Sequence, residues 1–383
     1  MATKKEKYYT LTKILHTGFK HNAKYYIVFG ERSNGKTYSA KELAINGFKD
    51  GEVTIKGFIQ DGSQTALIRR WRDDFAQKRG PQLFDDLVQN GSIKKWTNGE
   101  WDQIYYYSMR WYLAKFDEKL NRIVHDTTPF MFGFPLTAME HDKSTSYPRV
   151  NKIIFDEFLT RQRYLPDEFV TLMNTLSTII RDRDDVLIFM LGNTVNKSSP
   201  YFTEMGLTNV AKMNPGDIDV YTYGDSKLSV VVEYADTFTK NKKKSDVYFA
   251  FNNPKLNMIT SGKWEMAIYP HCPCKYKNKD IKFIYFIEFE KNILQCEIVQ
   301  VDGKLFTFIH RKTTDFRKIE KDLIYSCDFS PLPNHKRKLT KPSTSLEKKL
   351  LFFFFNEKVY YQDNEVGEVV RNYLEWCETD KFR

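Results

Sequence analysis

The chain has 383 residues, 41% of them hydrophobic and 15% aromatic, which is enough for two cored domains and too apolar for a disordered chain. A formal charge of +10 favours polyanionic partners, nucleic acid before membrane. Met1 to Lys7 (MATKKEK) is polar and unlike a signal peptide, and Leu350 to Phe355 (LLFFFF) is too short to span a bilayer. The five cysteines, odd in number and confined to the C-terminal third, suit a reducing compartment better than a disulfide framework. The expectation is a soluble intracellular protein.

The first strong signal is Gly30-Glu31-Arg32-Ser33-Asn34-Gly35-Lys36-Thr37, which fits the phosphate-loop pattern G-x-x-x-x-G-K-[ST] at every fixed position. An apolar run of strand length, Tyr25 to Phe29, precedes it, and Tyr38 to Phe48 follows with apolar residues at helical spacing. Such a loop turns successive N–H groups of Gly30, Arg32, Ser33, Asn34 and Gly35 into one anion nest at a helix start. Lys36 is expected to reach the β- and γ-phosphates of a nucleotide triphosphate, and Thr37 to hold Mg²⁺.

Val53 to Arg70 contains two β-prone runs around Gln60-Asp61-Gly62-Ser63, read as a hairpin or irregular strand pair. Short helices are expected at Trp71 to Gln77 and at Gln82 to Gln89, the second closed by Asn90-Gly91. From Ser92 to Phe116 tryptophan and tyrosine dominate, and Ile93 to Trp96 and Trp101 to Leu113 read as short antiparallel strands around Thr97-Asn98-Gly99. Phe130 to Leu136 is another short strand, and His141 to Pro148 a polar loop.

Lys152 to Glu157 (KIIFDE) reads as a buried parallel strand ending in two adjacent carboxylates. Ligands bind at the carboxyl ends of strands in open α/β sheets, so Asp156 is a Mg²⁺ holder and Glu157 a general base for water. A helix is expected from Pro166 to Ile180, then Arg181 to Asp185 (RDRDD) and the strand Val186 to Leu191. The strand runs into Gly192-Asn193-Thr194, where Asn193 can sense a γ-phosphate. The competing reading for Arg181 and Arg183 is ion pairing with Asp182, Asp184 or Asp185.

Asp217 to Glu233 reads as a hairpin. The basic run 240–245 is taken as the linker between a domain of residues 1–239 and one of residues 246–383. The second begins as antiparallel strands over Lys263 to Tyr269, Lys282 to Glu290, Leu294 to Asp302 and Leu305 to Arg311, passes a basic proline-rich loop, and closes with helices from Leu346 to Trp376. His271-Cys272-Pro273-Cys274 has poor spacing for structural zinc.

The ordered set resembles the DNA-packaging (encapsidation) ATPases of small short-tailed bacteriophages, relatives of large terminase motor proteins. Arg32 four residues before Lys36, the Ile153 to Glu157 strand followed by Phe158, and Arg181 to Phe202 in the family's order carry the resemblance over roughly residues 25 to 205. It implies an α/β fold: an N-terminal P-loop NTPase (ASCE-type) domain with a central, mostly parallel sheet, and a smaller C-terminal α+β domain resembling a vestigial RNase H-like nuclease, inactive and binding DNA or portal. It implies a ring, usually of five subunits, that uses ATP and Mg²⁺ to drive double-stranded DNA into a viral procapsid through its portal, in the cytoplasm of the infected host. Arg181 or Arg183 then serves as a trans-acting finger on a neighbour's γ-phosphate. Lys94, Lys95, Arg110, Lys242, Lys243 and Lys244 are candidates for DNA phosphate contacts. The alternative is a terminase-type protein whose C-terminal carboxylates, among Glu265, Glu288, Glu290, Glu297 and Asp302, form an active two-metal nuclease. A membrane-assembly P-loop protein is disfavoured, since no stretch is long enough to span a bilayer.

Overall fold

The computed structural model describes residues 8–141, 145–160, 164–165, 167–194, 199–224, 228–236, 269–289, 292–314, 316 and 319–379. Contacts divide the chain into two compact units, Met1–Trp264 and Glu265–Arg383. The expected linker 240–245, with Lys242, Lys243 and Lys244, lies outside the described residues, as do Glu265, Glu290 and most of the strand expected from Lys263 to Tyr269.

In chain order the first unit holds α1 (Thr12–Lys20), β1 (Tyr25–Gly30), α2 (Lys36–Asn46), β2 (Phe48–Asp50), β3 (Val53–Ile55), α3 (Phe58–Asp61), β4 (Gln64–Arg69), α4 (Arg79–Gln82), α5 (Asp85–Gln89) and α6 (Ser92–Trp96). There follow β5 (Gln103–Tyr107), β6 (Arg110–Asp117), β7 (Arg122–His125), β8 (Met131–Pro135), β9 (Val150–Asp156), α7 (Glu168–Ile180), β10 (Leu187–Asn193), α8 (Pro200–Glu204), β11 (Ile218–Tyr223) and β12 (Leu228–Tyr234). One sheet runs β11-β12-β1-β10-β9-β4-β8-β6-β5, with β7 beside β6. Its six middle strands, β12 to β8, are all parallel, and antiparallel strands extend both ends.

The parallel strands are apolar on both faces because both faces are covered. Ile27, Ile68, Ile153, Phe155 and Met190 pack on one side with Leu172 and Leu176 of α7 and Tyr201 of α8. Tyr26, Val28, Leu67, Ile154 and Phe189 pack on the other with Ile14 and Leu15 of α1 and Ala40 and Leu43 of α2.

Two local expectations are corrected. Val53 to Arg70 is not a hairpin: β3 pairs antiparallel with β2, whereas β4 is a central strand parallel to β8 and β9. The Asp-Gly signal is a helix end, with Gly62 at φ +68° donating its N–H to the carbonyl of Phe58 at the close of α3. Ile93 to Trp96 is helical, within α6, not a strand. Its I-K-K-W pattern meets helical spacing equally well, burying Ile93 and exposing Lys94 and Lys95.

The second unit holds β13 (Ile281–Phe289), β14 (Asn292–Val301), β15 (Lys304–Arg311), β16 (Ile324–Ser326), β17 (His335–Lys336), α9 (Ser345–Phe355), β18 (Val359–Tyr361) and α10 (Asn364–Thr379). The sheet order is β17-β16-β13-β14-β15-β18, with β13 to β15 an antiparallel meander and parallel strands at both edges. Leu350, Leu351 and Phe353 of the apolar run fill its core together with Val366, Val370 and Tyr373 of α10. No helix among the described residues is long and apolar enough to cross a membrane.

Candidate nucleotide site at the carboxyl edge of the parallel sheet

Parallel pairing aligns the strand ends: Gly30 of β1 sits opposite Asn193 of β10, and Asp156 of β9 opposite Leu191. The loop leaving β1 therefore curls over the same edge that carries both acids. Gly35 takes φ +108°, and a Cβ there would meet Tyr8 Cβ and the carbonyl oxygen of Tyr9, each at 3.3 Å. Ser33 adopts a left-handed φ of +55°, a conformation costing a non-glycine residue about 1–2 kcal/mol.

Lys36 is buried, and its Nζ donates to the carbonyl of Glu31 at 2.6 Å, to Asn34 Oδ1 at 3.1 Å and to Asn193 Oδ1 at 3.4 Å. Burial pushes its pKa down to about 7; Arg32 acts in the same direction, and Asp156 and Glu31 oppose. Thr37 Oγ1 donates to Asp156 Oδ1 at 3.0 Å. Glu157 is exposed, in the left-handed region at φ +61°, and lines the cavity over the loop with Arg32, Ser33, Lys36 and Asn193. The expected residues Gly30, Arg32, Ser33, Asn34, Gly35, Lys36, Thr37, Asp156, Glu157 and Asn193 thus meet at one edge.

Two hard oxygen donors, Thr37 Oγ1 and Asp156 Oδ1, in contact beside a lysine fit a Mg²⁺–polyphosphate ligand. Among the described residues Asn34 Nδ2 is a buried donor without a partner at the same place, which suits an anion acceptor.

Two arginines at the end of β4 escaped the sequence reading. Arg69 Nη2 pairs with Asp156 Oδ2 at 2.6 Å. Burial opposes the Arg69 charge, yet Asp156 and Glu157 more than offset it and raise its pKa. Arg70 makes a buried fork with Glu168 of α7, Nε to Oε2 and Nη2 to Oε1, both at 2.7 Å. The same guanidinium donates to the carbonyls of Phe158 at 2.9 Å and Glu157 at 3.3 Å. Tyr201 and the Leu165 N–H also donate to Glu168. The turn carrying Glu157 is thereby tied to the start of α7 and to α8. The available signal was a strand ending in two arginines next in the sheet to the strand ending in two acids.

Arg181 and Arg183 lie at the opposite edge, before β10 begins. β10 is 7 residues long, about 20 Å at 3.3 Å per residue, so neither side chain reaches the phosphate loop of its own chain. Arg183 is committed locally, donating to the carbonyls of Val150 at 2.6 Å and of Tyr147, Pro148 and Ile179 at 3.3 Å each. It also pairs with Asp185 at 3.5 Å. Arg181 is exposed and donates to the carbonyl of Thr145 at 3.0 Å. Lys94 and Lys95 are exposed on α6, and Arg110 is exposed at the start of β6 with its guanidinium over Phe132.

In the second unit, Glu297 is buried and accepts from Tyr276 Oη at 2.5 Å and Gln295 Nε2 at 2.6 Å, with His310 Nε2 at 3.3 Å. Asp302 sits in the turn after β14. Among the described residues no group of three or more His, Cys, Asp or Glu side chains could hold a metal ion, Glu288, Glu297 and Asp302 included.

Residues 114–303 match the family model described as podovirus DNA encapsidation protein (Gp16). Over those residues the chain is similar to this family. The DNA packaging protein of Bacillus phage B103 is 30% identical over 184 residues, 47% of this chain and 47% of the relative. That of Bacillus phage phi29 is 29% identical over 178 residues, 46% of this chain and 44% of the relative. The match thus spans about half the length of these curated relatives. A chain in the solved bacteriophage Phi-29 viral genome packaging motor assembly is 21% identical, with a TM-score of 0.56 over 96% of this chain and 97% of that chain. That likeness is one of fold, and it extends through both units. The mostly parallel sheet expected from the sequence agrees with it.

Proposed function

We propose that this chain is an ATP-hydrolysing translocase of double-stranded DNA, packaging a viral genome as one subunit of a ring, usually of five, docked on a procapsid portal in the host cytoplasm. The carrying observation is the contact of Thr37 with Asp156 beside Lys36 and Asn193, the donor set that a hydrolysed nucleotide triphosphate requires. Thr37 and Asp156 would hold Mg²⁺, which when bound neutralises charge developing on the phosphates. Lys36 binds the β- and γ-phosphates, and Glu157 takes the proton of the attacking water. Asn193, hydrogen-bonded to Lys36, registers loss of the γ-phosphate. The 20 Å separation and the commitments of Arg183 favour Arg181 as the residue offered to a neighbour's phosphates.

Translocation needs phosphate contacts without base readout, and Lys94, Lys95 and Arg110 are exposed charges of the right sign. The antiparallel meander with parallel edge strands in the second unit supports an RNase H-like fold, and its scattered carboxylates favour a nuclease-inactive one that serves binding. The domain boundary is proposed at the basic run 240–245. Steady-state ATP hydrolysis with and without long double-stranded DNA tests the reading. Stimulation by DNA at low salt that weakens as salt rises is expected; hydrolysis indifferent to DNA at every salt concentration would count against a translocase.

A further inference from the structure

The second unit leaves one end of its core open. A groove of about 630 Å³ is lined by Phe283 of β13, Ile298 of β14 and Leu305 of β15 on one side and by Leu346, Lys349, Leu350 and Phe353 of α9 on the other. The spacing i, i+3, i+4, i+7 puts these four α9 residues on one helix face. Leu350 and Phe353 continue into the core. Leu346 is 43% exposed, Leu305 41% and Phe352, which also lines the groove, 58%.

Leu346 is held at this surface. α9 begins at a cap in which Thr344 Oγ1 accepts the Glu347 N–H at 3.2 Å. The buried Glu347 carboxylate accepts the Ser343 N–H at 2.7 Å and lies 3.8 Å from Lys336 Nζ. A first turn fastened through both backbone and side chain resists fraying, so Leu346 stays presented to the groove. The charged lining is basic throughout. Lys348, Lys349 and Lys358 are exposed, none is ion-paired among the described residues, and no carboxylate lines the groove beside them.

We propose that this groove docks an acidic amphipathic helix of a partner protein, its apolar stripe over Leu305, Leu346 and Phe352 and its carboxylates towards the three lysines. An exposed apolar cleft rimmed by charge of one sign is the form that a helix-in-groove site takes. A small-molecule site needs convergent polar groups to orient its ligand, and Ser345 is the single uncharged polar residue in this lining. Nucleic acid would engage the lysines and leave the leucines and Phe352 in water. A second copy of a chain of charge +10 brings, on average, like charge to the rim. Every lining residue belongs to the second unit, so docking here needs no part of the nucleotide reading.

Fluorescence anisotropy of a labelled synthetic helix, leucines along one face and glutamates on the other, titrated with the full chain, tests this. The controls are the same residues scrambled, a version with lysine for every glutamate, and vesicles of anionic phospholipid. Wild type is expected to bind the acidic helix at least about ten-fold more tightly than either control peptide, the scale of one buried apolar anchor, and to leave the vesicles unbound. Leu346→Glu is expected to weaken the acidic helix about ten-fold or more, with the thermal midpoint unchanged. Lys348→Glu combined with Lys349→Glu is expected to remove the preference for glutamate over lysine. An acidic helix bound no more tightly than the scrambled peptide, wild-type affinity in Leu346→Glu, or capture of vesicles instead of peptide would overturn the docking site. So would sedimentation of wild type as an oligomer that Leu346→Glu dissociates, which would make a second copy the occupant.

Discussion

In the first unit β1, β9 and β10 run the same way, so Gly30, Asp156 and Asn193 end on one edge, and contacts of 3.4 Å or less join Lys36 to Asn193 and Thr37 to Asp156. In the second unit β13 and β14 run in opposite directions, and Glu297 lies opposite Ile284, four residues from Glu288 on the same face. At 3.4 Å per residue that is about 14 Å, too far for carboxylates to share a pair of metal ions about 4 Å apart. A parallel sheet gathers strand-end residues into a site, whereas an antiparallel one spreads its acids along the ladder.

The largest effect expected from breaking this contrast is at Lys36. Lys36→Ala should lower ATP turnover at least about a hundred-fold, since it removes the cation proposed to bind the transferred phosphate. The thermal midpoint should change little, because the burial cost of the Lys36 charge opposes the hydrogen bonds its Nζ makes; a midpoint falling in parallel with activity would place Lys36 among structural residues instead. Next is the buried fork. Glu168→Ala leaves Arg70 as an uncompensated buried charge and should cost about 3–5 kcal/mol in denaturant unfolding. The pair Arg70→Met with Glu168→Leu should lose less than Glu168→Ala alone, and additive losses would argue against a coupled pair.

A smaller, pH-dependent effect is expected at Glu233, which faces Tyr9, Lys13 and Asp236. Burial pushes its pKa up to about 7, so between pH 4.5 and 7 the folded state holds more proton than the unfolded state. Stability from this group is full below about pH 4.5 and is lost as pH rises through 7. In Glu233→Gln that component should vanish from a stability–pH profile, and an unchanged slope would rule out Glu233 as its source. The smallest effect belongs to the second unit: Glu288→Ala should leave stability within about 0.5 kcal/mol, with no Mn²⁺-dependent plasmid nicking in either protein. Nicking by wild type that Glu288→Ala abolishes would restore the nuclease reading.

What the sequence made legible was local. Gly30 to Thr37 and Ile153 to Glu157 are continuous strings whose spacing states their chemistry, and the apolar runs of β1, β9 and β10 mark strands buried on both faces. Arg69 and Asp156 are 87 residues apart, and Arg70 and Glu168 are 98. Only the placing of β4 beside β9 joins them, and the Asp61-Gly62 helix end concealed that β4 is a central strand.

We propose that one strand end divides its labour, with Asp156 holding the metal-bound nucleotide and Glu157 acting on water. Its most direct test is Glu157→Gln, measured for Mg²⁺–ATP affinity and for turnover in the same preparation with long double-stranded DNA. Affinity should stay near that of wild type and turnover should fall at least about a hundred-fold, as expected for loss of a general base. Wild-type turnover in Glu157→Gln would contradict it.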